Sequence, residues 1–208
     1  MAAGIGHEIR NPLTTVKGYL QLFEKKKPFE SYREQFNLMI EELDRASGII
    51  TEFLSLAKNK LMHQEKCHLS EIVSSITPLI ETSAMLESKT VLSELLSTSA
   101  IFADPKEIRQ LILNLAKNGL ESMGARGTVL LKTYDEGGCP ILAITDEGCG
   151  IPSEMLSKLG TPFMTTKAHG TGLGLPICYS IADRHNAKIE VNSNSNGTEF
   201  RIYFQRHV

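Results

Sequence analysis

Four groups of residues have types and spacings suited to chemistry. His7 is followed at once by Glu8, and a neutral imidazole can act as a nucleophile toward phosphorus if a carboxylate takes its proton. Neighbours on a helix do not share a face, so Glu8 would reach the free ring nitrogen rather than lie beneath the ring. A lone helical histidine is more often structural or exposed. Far downstream, Asn114 and Asn118 stand four apart inside a helical pattern, and side-chain carbonyls so placed can hold Mg²⁺, a hard ion that shares phosphate oxygens with protein. Taken alone, such a pair is more often solvated surface. Asp146-Glu147-Gly148-Cys149-Gly150 follows an apolar run. Its glycines would let backbone approach a flat ligand, and Asp146 can accept a hydrogen bond from an exocyclic amine such as adenine's. The same string also reads as a tight turn. Gly170-Thr171-Gly172-Leu173-Gly174-Leu175 precedes an amphipathic stretch, and its amides can wrap phosphates at a helix N-terminus.

Several chemistries are excluded. Position 11 is Asn, so His7-Glu8 lacks the second histidine of H-E-x-x-H and is no zincin. The glycine string is not G-x-G-x-x-G and falls near the chain's end, and no G-x-x-x-x-G-K-[ST] string occurs, which leaves out Rossmann and P-loop readings. A net charge of -2, with Lys25-Lys26-Lys27 the one basic run, gives no footprint for nucleic acid. Cys67, Cys139, Cys149 and Cys178 show no C-x-x-C spacing, so free thiols in a reducing cytosol are expected. No run of about 18 apolar residues spans a membrane, and Met1-Ala2-Ala3-Gly4 is unlike a secretory signal. A helical pattern is already under way at Ile5. The chain therefore reads as the cytoplasmic portion of a longer protein, anchored in the cell membrane through the missing part.

The elements that must position these residues fall into two textures. Ile5, Ile9, Leu13, Val16, Leu20 and Phe23 step by threes and fours, which predicts an amphipathic helix that fades at the three lysines and stops before Pro28. Ser31-Tyr32-Arg33-Glu34 has the capping-box pattern of a second helix, whose seam is Ile40, Leu43, Ile50, Leu54, Ala57 and Leu61, interrupted by Ser47. Two helices alone expose too much apolar surface, so residues 1–62 are expected to pair with a second copy as a four-helix bundle. The alternative is packing on the rest of their own chain. Residues 63–69 read as a linker. From 70 to 208 helix and strand patterns mix, with helices from Ser70 and from Asp104, the latter with Pro105 at its first position and Glu107 closing a capping box. Strands are predicted at 99–103, 128–134, 141–145, 188–192 and 198–204, with a hairpin about Gly137-Gly138. This second part is an α+β layer, helices on one face of a mixed sheet.

Each motif is ambiguous alone, but in this order and with these gaps they resemble the sensor histidine kinases of two-component systems, over essentially the whole chain. His7 to Pro12 resembles the H box, Asn114 to Asn118 the N box, Asp146 to Gly150 the G1 box, Pro162-Phe163 the F box and Gly170 to Gly174 the G2 box. Gly197-Thr198-Glu199-Phe200 resembles the closing strand of that fold, and the wording from His7 to Tyr19 is most similar to the sporulation kinases of bacilli. The resemblance implies a multidomain α and α+β chain, a dimerising phosphotransfer hairpin followed by a Bergerat-type α/β sandwich that binds ATP. It implies that His7 is phosphorylated, with Glu8 as base and Asn11 orienting water in the reverse reaction. Asn118 would hold Mg²⁺, and Asn114 would stand near the phosphates where ATPases of the superfamily carry Glu, favouring transfer over fast hydrolysis. Asp146 and Thr198 would read adenine, with Gly148, Gly150 and Ile151 around it. Lys117, Lys167, Gly170, Thr171, Gly172, Leu173 and Gly174 would meet the nucleotide, and 152–169 would form a mobile lid. An aspartate on a response regulator receiver domain would take the phosphoryl group, the sporulation likeness implying a role in the control of sporulation, and an inhibitory protein could bind the hairpin's base. Two rival classes are a dimeric adaptor that has lost nucleotide, against which the intact Asn118, Asp146 and glycines argue, and an ATPase or anti-sigma-type serine kinase, which would not need the His7-Glu8 hairpin.

Overall fold

A computed structural model describes residues 2–57, 62–165, 167 and 170–206, with the backbone alone at 2–7, 55 and 57. The chain divides into two compact units, Met1–Lys60 and Leu61–Val208.

The first unit is a helical hairpin. Helix α1 spans Ala2–Glu24 and α2 spans Arg33–Ala57. Pro28 opens a 3-10 segment, Lys27–Tyr32, so α1 ends ahead of it as its pattern predicts. Ser31 lies inside that segment and α2 begins at Arg33, so the capping-box signal, which would make Tyr32 the first helical residue, marks the start one residue early. Proline's fixed φ suits the tight turn, and the turn absorbs the cap. Phe23, Phe29 and Phe36 close the end of the hairpin, with ring centroids 5.3 to 6.2 Å apart. Midway, the Lys17 ammonium donates to both Asp44 oxygens, 2.7 Å to Oδ2. At its exposure such a pair contributes at most about 1 kcal/mol, so it sets register more than stability. Among the described side chains of this unit only Leu54 is buried. Of the expected seam, the side chains of Ile5 and Ala57 and all of Leu61 lie outside the described residues.

The second unit holds β1 (Glu65–His68), α3 (Leu69–Leu86), β2 (Thr90–Leu95), β3 (Ala100–Ala103), α4 (Pro105–Ser122), β4 (Thr128–Glu136), β5 (Cys139–Asp146), α5 (Ser153–Leu156), α6 (Gly174–Arg184), β6 (Lys188–Asn194) and β7 (Gly197–Tyr203). Five strands make a mixed sheet in the order β2-β4-β5-β7-β6, with β2 parallel to β4 and the other pairs antiparallel. The β4–β5 hairpin turns at Gly137-Gly138, as its two glycines predict. β1 and β3 pair as a separate antiparallel ribbon, so the stretch read as a linker contains a strand. Four residues are too few to show alternation. Alternate residues Val129, Leu131 and Thr133 of β4, and Thr198, Phe200 and Ile202 of β7, are buried, which is the period of a sheet with one covered face. α4 packs between α3 and α6 and rests on β4 and β5. It carries Ile108, Leu111, Ile112 and Leu115 into the core. No helix among the described residues is long and apolar enough to cross a membrane.

Candidate functional site

The site is built around α4. Asp104 caps it, its carboxylate accepting the Lys106 amide at 2.9 Å, with Pro105 in the first turn where no amide partner is needed. The other half of the expected capping box is not used. Glu107 is buried and takes a two-pronged bond from Arg184, at 2.9 and 3.1 Å, because a guanidinium fork outcompetes a single amide. Next to it the His185 ring accepts the Asp104 amide at Nε2, 3.0 Å, and meets the Ile181 carbonyl at Nδ1, 2.8 Å. A neutral ring with its proton on Nδ1 satisfies both contacts and ties α6 to the start of α4.

So held, α4 turns Asn114 and Asn118 to one half-buried face. Asn114 donates to the Gly174 carbonyl at 3.4 Å, and a Cβ on Gly174 would stand 4.0 Å from Asn118 Nδ2. The asparagine pair and the glycine turn that opens α6 are thereby brought together. Within that turn Thr171 Oγ1 accepts the Leu173 amide at 3.3 Å, and the Gly172 carbonyl accepts the Phe163 amide at 3.0 Å. The Lys167 carbonyl accepts the Gly170 amide at 3.2 Å. The segment read as a lid contains the short α5, while Thr166, Ala168 and His169 lie outside the described residues. Lys117 and Lys167 both point to one carboxylate, Glu121, at 3.7 and 2.6 Å.

Asp146 ends β5, buried opposite Thr198 in the ladder. Burial pushes its carboxyl above the usual range, opposed by bonds from the Gly148 amide, the Ser122 hydroxyl and the Thr198 backbone and by the charge of Lys167. A side chain at Gly148 would run into Ser122 Oγ. At Gly150, φ is +73° and a Cβ would meet the Asn194 carbonyl, so this turn requires glycine twice over. The Ile151 amide donates to Ser193 Oγ at 2.8 Å, and Ser193 in turn lies 2.9 Å from Thr198 Oγ1. A cleft of 590 Å³ beside this turn is lined by Gly150, Ile151, Leu156 and Asn194 but not by Asn114, Asn118 or Asp146, so it neighbours the polar site without containing it. In the first unit His7 falls within α1 with its side chain outside the described residues, while Glu8 and Asn11, three apart, are exposed.

Sequence reasoning missed Ser122, Ser193 and Glu121. The spacing of four that joins Asn114 to Asn118 continues to Ser122 and was the available signal. Nothing local marks Ser193, whose role depends on pairing between β6 and β7.

A mixed sheet covered by helices, with an acceptor carboxylate at the end of its central strand and asparagines on the helix above, defines a nucleotide-binding domain of the ATPase type. Residues 103–208 match the family described as "Histidine kinase-, DNA gyrase B-, and HSP90-like ATPase", and residues 1–61 match the "His Kinase A (phospho-acceptor) domain". The chain belongs to the histidine kinase family. It is 39% identical to sporulation kinase A of Bacillus subtilis (strain 168), over 99% of this chain and 34% of that protein, and 35% identical to sporulation kinase C of the same organism, over 97% and 47%. Sporulation kinase B, one of the group to which the wording around His7 pointed, is also 35% identical, over 93% and 46%, and is not singled out from its siblings. The chain spans less than half the length of these relatives. Among solved structures, histidine kinase ThkA in complex with response regulator protein TrrA superposes with a TM-score of 0.72 at 28% identity, over 100% of this chain and 61% of that one. Full-length ShkA in complex with AMPPNP, at 22% identity over 100% of this chain and 46% of that one, shares the fold with a TM-score of 0.86.

Proposed function

We propose that this chain is the core of an ATP-dependent protein-histidine kinase that phosphorylates His7 and passes the group to an aspartate of a response regulator receiver domain. The observation that carries the reading is one chain joining a phospho-acceptor hairpin, with His7-Glu8 in its first helix, to an ATPase-type domain in which Asp146 is buried at the end of β5 and Asn118 lies beside the Gly174 turn. A neutral His7 nitrogen attacks the γ-phosphorus, the bond to the β–γ bridging oxygen breaks, ADP leaves, and Glu8 takes the imidazole proton. Asn11, on the same helix face as Glu8, orients water in the reverse reaction. Asp146 accepts from the adenine amine, and Asn114, Lys117 and Lys167 lie toward the phosphates, the lysines moving off Glu121. Asn118 fits a Mg²⁺ site, since its amide oxygen is a hard donor on a half-buried face next to the glycine turn. When bound, the ion neutralises phosphate charge.

Residues 1–62 serve dimerisation and phosphotransfer, 63–69 link the two parts, and 70–208 serve catalysis. Val16, Tyr19 and Leu22 are 49, 58 and 57% exposed in a single chain, and a second copy would cover such a stripe in a four-helix bundle. The similarity to sporulation kinases supports a role in a two-component system or phosphorelay controlling sporulation; an anchored full-length protein and an inhibitor site at the hairpin's base belong to the same proposal. The test is incubation with Mg²⁺ and γ-labelled ATP beside His7→Gln and Asn118→Ala. An acid-labile, base-stable label present only in the unmodified chain is expected. An acid-stable label, or one that survives in His7→Gln, overturns the reading.

A further inference from the structure

The reading of Asp146 as the adenine acceptor leaves a question that its surroundings answer: which of its two oxygens meets the base, and what fixes the choice. Oδ1 receives the Gly148 amide at 2.8 Å and lies 3.0 Å from Ser122 Oγ. The Ser122 hydroxyl has one proton and two candidate acceptors, since the Gly119 carbonyl is 2.8 Å away. If the proton went to that carbonyl, two oxygens, one of them an ionised carboxylate's, would face each other at 3.0 Å with nothing between them. The charged acceptor also makes the stronger bond. The proton therefore points to Asp146.

With the Gly148 amide and the Ser122 hydroxyl both on Oδ1, that oxygen's two lone-pair positions are filled. That leaves Oδ2 for the Thr198 backbone and, with its other lone pair, for a ligand; Oδ2 lies over Gly119, where a Cβ would come within 3.4 Å of it. Ser122 is also held from behind, because its backbone carbonyl accepts the Cys149 amide at 3.4 Å. One residue at the end of α4 thus grips the Asp146 turn by side chain and by main chain, on the helix that carries Asn114 and Asn118.

We infer that Ser122 is a positioning residue for base recognition, which orients the Asp146 carboxylate so that its second oxygen accepts an exocyclic amine. The inference rests on the nucleotide reading of this pocket. It gives Ser122 a consequence that a packing role would not have, namely an effect that depends on whether the base carries the amine.

Calorimetric titration of the full chain with ATP and with purine riboside triphosphate, which lacks the amine, in the presence of Mg²⁺ makes the test. The unmodified chain is expected to prefer ATP. Ser122→Ala should weaken ATP about fivefold, the usual worth of one such bond, and leave the analogue unchanged, so that the preference shrinks by the same factor. Ser122→Thr, which keeps the hydroxyl, should restore it. If Ser122→Ala folds poorly, Ser122→Cys, close in size with a weaker donor, gives the same readout. Equal weakening of both nucleotides, or no weakening, beside an intact preference in the unmodified chain overturns the role of Ser122 alone. An unmodified chain that binds both nucleotides equally overturns the amine reading of Asp146, and one that binds neither overturns the pocket. Either result takes this inference with it.

Discussion

The two units differ most in what they bury. In the hairpin Leu54 is the one buried side chain among those described, while its seam residue Val16 and neighbours Tyr19 and Leu22 stand about half exposed. The second unit encloses Leu111, Leu115, Leu131, Ile141, Ile144 and Ile181 almost completely. One unit is apolar on a stripe that nothing in its own fold covers, and the other has closed its core. The difference matches the two tasks. A phospho-acceptor hairpin has to present its helices to partners, whereas a nucleotide pocket needs a fixed frame in which Asp146 can be buried and bonded.

The largest effect should come from a charge on the open stripe. In a lone chain Val16→Glu would cost little, since the position is half exposed, but in a bundle it buries an unpaired carboxylate, at about 3–5 kcal/mol. Light scattering is expected to show a dimer becoming a monomer, with histidine labelling falling roughly 100-fold and ATP affinity unchanged. A dimer that survives the substitution would break the comparison.

The converse substitution lies in the closed core. Leu115→Ala removes a fully buried side chain and should cost roughly 3 kcal/mol, lowering the melting midpoint of the second unit by about 10 °C. The hairpin's association, followed by light scattering below that temperature, should not change. An equal effect on both units would mean that they share one core.

Asp146 sharpens the contrast within the closed unit. Its pKa is raised by burial, so the carboxyl favours folding while protonated. That contribution is complete below the ordinary aspartate range and is lost as pH rises through the raised value. At neutral pH the ionised carboxylate therefore costs stability. Asp146→Asn should weaken ATP binding about 10- to 100-fold without lowering the melting midpoint of the empty chain at pH 7, and it should remove the acid-side stabilisation. In the unmodified chain the Asp146 contribution to ATP affinity should fade on acidification at a higher pH than an ordinary aspartate would give. Calorimetry across pH, against the Asn variant as baseline, checks both.

Pro12 should give the smallest effect. It removes an amide that would bond to the Glu8 carbonyl within α1, and we expect it to ease motion of the helix above it. Pro12→Ala should change phosphotransfer and dephosphorylation rates by a few-fold at most. Both rates unchanged would remove that role.

Much of this was legible in the sequence because the strongest signals are local. The α4 start, the Gly137-Gly138 turn and the strands β4 and β5 follow from capping, turn chemistry, alternation in β4 and an apolar run in β5. Three things were not. β2, Thr-Val-Leu-Ser-Glu-Leu, is an edge strand with Val91 its one buried residue, so it shows no pattern. Glu107 fitted a capping box but is claimed by Arg184, 77 residues later in the chain. The helix expected from Ser70 is present, beginning one residue earlier at Leu69, but the Ser70 hydroxyl's partners were not legible: it donates to the Ser97 carbonyl at 2.7 Å and pairs with Thr133, contacts that exist only once the sheet is assembled. In the site, motif residues were visible one by one, whereas the serines that orient them were not, since their meaning lies in what the fold sets beside them.

The central claim is a division of labour, in which the closed unit holds ATP and the open one receives its phosphoryl group. The most direct measurement is to label the chain with γ-labelled ATP, cleave at a protease site placed within residues 58–61, and separate the two fragments at neutral and at acid pH. The account expects the label on the hairpin fragment, acid-labile and mapping to His7, with nucleotide binding kept by the fragment from 62 to 208. A label on the larger fragment, or one on the hairpin that withstands acid, would contradict it.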